Sequence, residues 1–94
     1  MSISVRVNNG MISEYKNGSL VRSYGSGIRQ VLTDGRSVVA VNGSGQIVEF
    51  VNGSVRRRFA SGVTSAYVSG GVVYANTRSG KLQVWKNGSF MGER

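Results

Sequence analysis

The sequence predicts an all-β domain assembled from repeated four-stranded antiparallel meanders. Three observations predict it: an internal repeat of 35 residues, turn-forming dipeptides at regular intervals, and segments rich in Val, Ile, Tyr and Phe between those turns. β-Branched and aromatic residues fit a pleated sheet. No segment keeps a 3.6-residue periodicity, and fourteen glycines in 94 residues disfavour helices.

The repeat is clearest in three segments, ISEYKNGS at 12–19, IVEFVNGS at 47–54 and LQVWKNGS at 82–89, whose starts are 35 residues apart. Residues 12–46 align with residues 47–81 without a gap, and 13 of these 35 positions are identical. The same offset places Ser2 on Ser37 and Gly10 on Gly45. Self-similarity at a fixed period of this length indicates a repeat architecture.

Each copy of the repeat predicts four short strands. In the middle copy these strands cover 28–33, 37–41, 46–51 and 54–60. Asp34-Gly35 and Asn52-Gly53 are predicted to form tight hairpins, because both dipeptides tolerate positive φ at the two central positions. The three Asn-Gly-Ser tripeptides are interpreted as turns and not as glycosylation sites. Residues 1–94 form a single predicted domain with a partial unit at 1–27 and full units at 28–62 and 63–94.

The strands of a unit differ in polarity in a way that suits a radial arrangement. The first two, such as IRQVLT and SVVAV, are apolar on both faces, whereas the fourth carries charge. Together with the segments GSGQIVEFVNG, RSGKLQVWKNG and NNGMISEYKNG, this pattern resembles the blades of β-propeller proteins. The unit is shorter than the 40–45 residues of WD-repeat blades and lacks their Gly-His and Trp-Asp signatures. A monomeric β-prism or β-trefoil is the alternative fold.

The propeller resemblance implies assembly. The chain starts at the second strand of a unit, so it predicts eleven strands and nearly three blades, whereas propellers close with about four to eight blades. Two chains would supply six blades, which predicts a homodimeric ring closed head to tail. The blade faces left open at 1–27 and 63–94 are expected to be apolar.

The composition argues against catalysis. The sequence has no cysteine and no histidine, which removes disulfides, thiolate or imidazole metal sites and Cys- or His-based catalysis. Glu14 and Glu49 share one repeat position and are interpreted as structural partners of Arg22 and Arg57. We therefore expect a protein without enzymatic activity, metal or cofactor. It has no predicted signal peptide or membrane span, which favours the cytoplasm, or the host cytoplasm for a viral protein.

The net charge of +8 indicates an anionic partner, with solubility as the alternative reason for the charge. In a propeller, the loops entering the first strand of each unit and those following its second strand lie on one face, here named the loop face. The candidate ligand-binding residues on it are Ser26, Arg29, Asn42, Thr77 and Arg78. Arginine, amide and hydroxyl groups beside exposed backbone N–H groups suit a nucleotide or nucleic acid.

A second basic cluster and two unmatched tyrosines are further candidates for contacts with a partner or for core packing. Arg56, Arg57 and Arg58 lie on a predicted outer strand and are candidates for contact with a polyanion or a protein. Tyr67 and Tyr74 have no aromatic counterpart in the other copies and are interpreted as core, with filling of the space beside an absent inner strand or contact with a ligand as the alternatives. A lectin-like module and a structural or protein-interaction ring are the alternative functions.

Overall fold

A computed structural model describes residues 3–94, and the described chain consists of antiparallel strands and turns. The strands are β1 (Ser4–Asn8), β2 (Met11–Lys16), β3 (Ser19–Tyr24), β4 (Ile28–Thr33), β5 (Val38–Asn42), β6 (Ile47–Val51), β7 (Ser54–Phe59), β8 (Val63–Ser69), β9 (Val72–Thr77), β10 (Leu82–Lys86) and β11 (Ser89–Glu93). They form a first sheet β1-β2-β3, a second sheet β4-β5-β6-β7 and a third sheet β8-β9-β10-β11, each a simple meander. The predicted all-β fold and four-stranded units are confirmed.

The Asn-Gly hairpins have the predicted geometry. Asn17, Asn52 and Asn87 have φ of 54°, 53° and 52°, and each is followed by a glycine that also has positive φ. Positive φ at both central positions defines the type I′ turn, whose twist matches that of the flanking strands. These turns fix the pairing of the last two strands in every sheet.

The prediction of a tight Asp34-Gly35 hairpin is wrong. Thr33 pairs with Val38, so the connection has four residues, and Asp34 does not have positive φ. The Asp34 carboxylate instead accepts hydrogen bonds from the backbone N–H groups of Arg36 and Ser37, at 3.0 and 3.1 Å. A side chain that can satisfy backbone donors offers the chain an alternative to the two-residue turn.

The gapless repeat does not extend to the first strand. Val7 pairs with Ile12 and Val5 with Glu14, where the 35-residue offset would place Ser4 opposite Glu14. The cause is the two-residue Asn9-Gly10 turn, which is one residue shorter than the loop at the same place in the second sheet. A one-residue slip turns every side chain of a strand to the other face. The predicted equivalence of Ser2 and Ser37 lies outside the described residues.

The sheets pack face to face around two apolar clusters. The cluster between the first and second sheets contains Ile12, Ile28, Val38, Ala40, Val48 and Phe50. The cluster between the second and third sheets contains Val39, Val41, Ile47, Phe59, Val63, Ala66, Val73 and Ala75. The second sheet is therefore covered on both faces, as expected for a blade between two neighbours, and its strands β5 and β6 are almost entirely buried.

A Glu–Arg pair is repeated at both internal interfaces. Arg22 Nη1 lies 3.4 Å from Glu14 Oε2, and Arg57 Nε lies 3.5 Å from Glu49 Oε1. The predicted structural role of both glutamates is confirmed by this geometry. Glu14 also accepts a hydrogen bond of 2.7 Å from the Tyr24 hydroxyl. Burial, followed by this bond to a carboxylate, raises the pKa of the Tyr24 phenol.

The two outward faces are less apolar than predicted. Alternation places Ser4, Arg6, Ser13 and Tyr15 on the outward face of the first sheet, and the Arg6 guanidinium carbon lies 5.0 Å from the Tyr15 ring centroid. On the outward face of the third sheet, Tyr67 stacks on Tyr74 with ring centroids 4.8 Å apart. The interpretation of Tyr67 as core is wrong for the single chain, because 47% of the residue is exposed.

The arginine side chains make two equivalent glycines unequal, which gives a first testable prediction. Gly18 and Gly53 both have φ near +80°, but a Cβ at Gly18 would meet nothing within 4 Å, whereas a Cβ at Gly53 would lie 2.9 Å from Arg22 Cδ. We expect Gly18→Ala to cost about 1 kcal/mol of unfolding free energy through its backbone conformation alone. Gly53→Ala is expected to cost about 1 kcal/mol more, because Arg22 must also move. Equal denaturation midpoints for the two variants would contradict the Arg22 contact.

A second prediction concerns acid stability. Partial burial alone would raise the pKa of Asp34, but backbone N–H groups of Ser37, Arg36, Asp34 and Gly71 outweigh it and lower the pKa below the ordinary 3.8. A carboxyl group whose pKa is lowered by folding stabilises the fold above its unfolded pKa, and this contribution disappears as the pH falls through the folded pKa. The stability difference between wild type and Asp34→Asn is therefore expected to be constant above pH ~5 and to shrink toward pH ~2. An unchanged difference down to pH ~2 would contradict it.

Candidate functional site

Backbone hydrogen bonds bring the predicted loops together on one face. Ile28 N donates to Gly10 O and Val63 N to Gly45 O, which joins each sheet to the next at 3.0 and 2.9 Å. Within the second and third sheets, Gly43 N donates to Gly27 O and Arg78 N to Gly62 O, both at 2.9 Å. These four bonds follow the repeat, so the loop face is one continuous belt of backbone contacts.

Arg29 lies where the second and third sheets meet on this face. Its Nε donates to Asn42 O at 3.2 Å, and its Nη2 donates to Val63 O at 3.0 Å. Arg29 is the extra residue of a bulge in β4, since Ile28 pairs with Asn42 and Gln30 with Val41. Two carbonyls thus fix an exposed guanidinium whose remaining N–H groups can serve a ligand.

Arg78 reaches the same place from the third sheet. Its backbone N–H binds Gly62 O, which belongs to the residue before the Val63 that Arg29 contacts. The Arg78 side chain is exposed and has no hydrogen-bond or ion-pair partner in the described chain. The Arg29 guanidinium and the Arg78 backbone therefore bind the consecutive carbonyls of Val63 and Gly62, which places the two predicted arginines next to each other on the loop face.

The polar side chains predicted beside these arginines are used in their own turns. The side-chain Oδ1 of Asn42 accepts hydrogen bonds from the backbone N–H groups of Ser44 and Gln46, at 3.0 and 2.9 Å. Thr77 Oγ1 donates to Lys81 O at 2.9 Å. Asn42 and Thr77 hence shape the loops, and their capacity for a further ligand is small.

Ser26 belongs to a different part of the loop face. It lines a cavity of about 120 Å³ between the first and second sheets, together with Asn42, Phe50 and Arg58. Arg58 is paired with Val48 in the ladder, so it points toward the first sheet. The sequence did not connect Arg58 with Ser26, and the alternation of the fourth strand was the signal that could have done so.

The three consecutive arginines do not form one patch. Arg56 Nη1 and Arg57 Nε lie 3.7 and 3.5 Å from the Glu49 carboxylate, at the interface with the third sheet. Arg57 is half-buried, and its Nη1 is buried without a hydrogen-bond partner among the described residues. Only Arg58 of this trio is directed to the loop face.

Charge is unevenly distributed between the two faces. The loop segments 9–10, 25–27, 43–46, 60–62 and 78–81 contain no Asp or Glu, while Arg78 and Lys81 lie within them and Arg29 lies beside them. Three of the four acidic residues line cavities at the opposite face, where Asp34 and Glu49 share one of about 70 Å³ and Glu14 lines one of about 130 Å³. Lys81 was missed in the sequence, although its place after Ser79-Gly80 was a sufficient signal.

The described residues contain no group of three or more His, Cys, Asp or Glu side chains that could hold a metal ion. Within residues 3–94 no helix is long and apolar enough to span a membrane.

The sheets, their hairpins and their packing define a propeller-type repeat protein. Over 99% of its length the chain superimposes on the crystal structure of the WD40 β-propeller domain of Doa1, with a TM-score of 0.72 and 15% identity. It spans 36% of that propeller. At this identity the likeness shows the fold alone, and the propeller resemblance of the sequence is confirmed.

A match to a protein-family model shows which family the chain belongs to. The family described as Helicobacter pylori IceA2 protein matches residues 1–47 and again residues 37–92. Together these matches cover nearly the whole chain, so the chain belongs to the IceA2 family. The two matches begin about one repeat apart, in agreement with the internal repeat. A comparison with curated proteins found no match.

Proposed function

We propose that this protein is a non-catalytic binding module that holds a phosphate-bearing ligand, such as a nucleotide, on its loop face. The observation that carries the proposal is that the Arg29 guanidinium binds Val63 O and the Arg78 backbone binds the adjacent Gly62 O, which places the two residues side by side on a face whose loops contain no acidic residue. Like charges gathered on one surface repel each other unless an anion neutralises them. Arginine suits this role, since its planar fork grips a phosphate in a bidentate manner.

Arg29 is the stronger of the two groups in this proposal. Its guanidinium is fixed by Asn42 O and Val63 O before any ligand arrives, so little conformational entropy is lost on binding. Arg78 is free to close over the ligand from the side of the third sheet. Lys81, on the same loop as Arg78, adds a third positive charge.

The same proposal includes a ring of two copies. One chain supplies about a third of a WD40 propeller by length, and three sheets are fewer than the four to eight blades of known rings. Two copies give six blades, whereas three copies would give nine. A two-copy ring also doubles the number of Arg29 and Arg78 side chains around one axis.

The repeat itself provides matched variants for a binding experiment. Thr64 occupies the position of Arg29 in the next copy and donates its hydroxyl to Asn76 O at 3.1 Å, so Arg29→Thr removes the charge while keeping a residue that the repeat accommodates. Arg78→Ala removes the second charge. Lys86→Ala removes one positive charge from the opposite end of β10 and serves as the control.

We expect ATP binding, measured by isothermal titration calorimetry at moderate salt, to weaken about tenfold to a hundredfold in Arg29→Thr and in Arg78→Ala. The Lys86→Ala control is expected to bind like wild type. Loss of ATP binding in all three variants alike would indicate a general charge effect and no site. Absence of ATP and single-stranded DNA binding by the wild type would refute the proposal, and binding to a glycan array would then support the lectin-like alternative.

A further inference from the structure

The outward face of the first sheet differs from the faces buried inside the molecule. Strand pairing gives the counterparts of these residues in the second sheet. On β1, Ser4 corresponds to Val38 and Arg6 corresponds to Ala40. On β2, Ser13 corresponds to Val48 and Tyr15 corresponds to Phe50. The residues of the second sheet are all part of the buried cluster against the first sheet. Three aliphatic positions have thus become Ser, Arg and Ser, and Arg6 covers the Tyr15 ring at 5.0 Å.

The outward face of the third sheet differs in a complementary way. Tyr67 and Tyr74 take the places of Leu32 and Val39, which pack against the third sheet in the second apolar cluster. The Glu49–Arg57 pair that reaches the next sheet is replaced by Val84 and Gly92 on this face. The third sheet therefore presents an aromatic platform, half-buried at Tyr74 and exposed at Tyr67.

The internal interfaces show which residues face each other when one sheet follows another. Val39 of the second sheet and Ala75 of the third sheet belong to one cluster. Tyr74 is the counterpart of Val39 in the third sheet, and Arg6 is the counterpart of Ala75 in the first sheet. If the first sheet of a second copy packed on the third sheet in the same geometry, Arg6 would therefore face Tyr74. A cation over aromatic rings is a favourable contact, about 0.5–2 kcal/mol depending on its desolvation.

The larger side chains also fit the space at such a junction. At the internal interface the inner strands β4 and β8 are joined by the Gln30 side chain, whose Oε1 accepts the Ala66 N–H at 2.9 Å. In the first sheet, no strand of the described chain lies inside β1. If the third sheet of one copy packs on the first sheet of another, β8 therefore has no inner strand opposite it. The resulting space can be filled by Tyr67 and Tyr74, which are larger than their counterparts Leu32 and Val39.

We propose that the Tyr67–Tyr74 platform of one copy seats on the outward face of the first sheet of a second copy, with Arg6 of that copy held between its own Tyr15 and the tyrosine pair. The proposal rests on the two-copy ring proposed above and assigns the faces that close it. Each ring then has two identical closing interfaces, related by the two-fold axis, and each uses two different faces. The occupant is a second copy because the chain carries both matching faces.

Sedimentation velocity on variants of each face tests the assignment. Tyr67→Asp alters the platform, Tyr67→Ser is a milder change at the same place, and Arg6→Asp alters the opposing face. Val55→Asp changes a residue that is 48% exposed on the outer strand β7 of the second sheet, so it introduces the same charge away from both closing faces and is the control. We expect at least a tenfold weaker dimer for Tyr67→Asp and for Arg6→Asp, an intermediate loss for Tyr67→Ser, and no change for Val55→Asp. Circular dichroism establishes that each variant is folded.

Mixing the two altered chains distinguishes head-to-tail from other pairings. A Tyr67→Asp chain and an Arg6→Asp chain together retain one closing interface with both native faces, so their mixture is expected to dimerise more tightly than either alone. A mixture as weak as the separate variants would overturn the assignment. A dimeric wild type whose face variants stay dimeric would refute these faces while leaving the ring possible, whereas a monomeric wild type would refute both the faces and the ring. The ATP measurement above does not depend on this outcome.

Discussion

Glu49→Val is expected to lower the unfolding free energy by about 2–3 kcal/mol. The substitution leaves Arg57 at the interface between the second and third sheets without its carboxylate, although Arg57 Nη1 already lacks a hydrogen-bond partner in the described chain. Breaking a fully buried ion pair costs about 3–5 kcal/mol. The expected loss is smaller here, because the Arg57 side chain is 22% exposed and water can partly hydrate its charge. Chemical denaturation of both proteins measures it.

A double variant separates the charge effect from a packing effect. Adding Arg57→Met to Glu49→Val removes the unpaired charge and keeps a long side chain over the Asn87-Gly88 turn, where Arg57 Cδ now packs. Replacement of a buried pair by apolar residues is often close to neutral, so the double variant is expected to be more stable than Glu49→Val by about 1 kcal/mol or more. Strictly additive losses for the two substitutions would show that the pair has no coupling.

Ile47→Ala is expected to cost about 3 kcal/mol, within the usual range for removing a fully buried aliphatic side chain. Ile12, Ile47 and Leu82 share one repeat position, but Ile12 and Ile47 are 0% exposed while Leu82 is only half-buried on the outward face of the third sheet. Ile12→Ala should match Ile47→Ala, and Leu82→Ala should cost less than half as much when the protein is measured as a monomer. Equal losses at all three positions would contradict the packing order of the sheets.

The strands and most turns could be predicted because they depend on local sequence. Asn-Gly dipeptides and alternating β-branched residues act within a few positions, and the predicted strand at 28–33 agrees with β4. The first strand could not be placed correctly from the repeat, since the match of Gly10 to Gly45 conceals a turn that is one residue shorter. That single residue moves Arg6 from the interior to the outward face, which no composition argument detects.

The candidate site was predictable in outline because blade topology assigns each loop to one face. The position of Arg29 and Arg78 on the loop face followed from this rule, and the hydrogen bonds between the loops agree with it. The contact of Arg29 with Val63 O spans 34 residues and depends on how two sheets pack, so the sequence did not indicate it. Arg58 is separated from Arg57 by ordinary strand alternation, whereas the placement of Arg56 beside Arg57 depends on the bulge at Arg56 in β7, which the sequence did not indicate.

Native mass spectrometry of the freshly purified chain tests the central claim most directly, because the claim is that two copies together form one ring with an anion on its loop face. The expected result is a species of twice the 10.1 kDa of the chain, with additional mass from a retained phosphate-bearing molecule that Arg29→Thr removes. A species of 10.1 kDa alone at micromolar concentration would contradict the ring and would favour a closed monomeric fold.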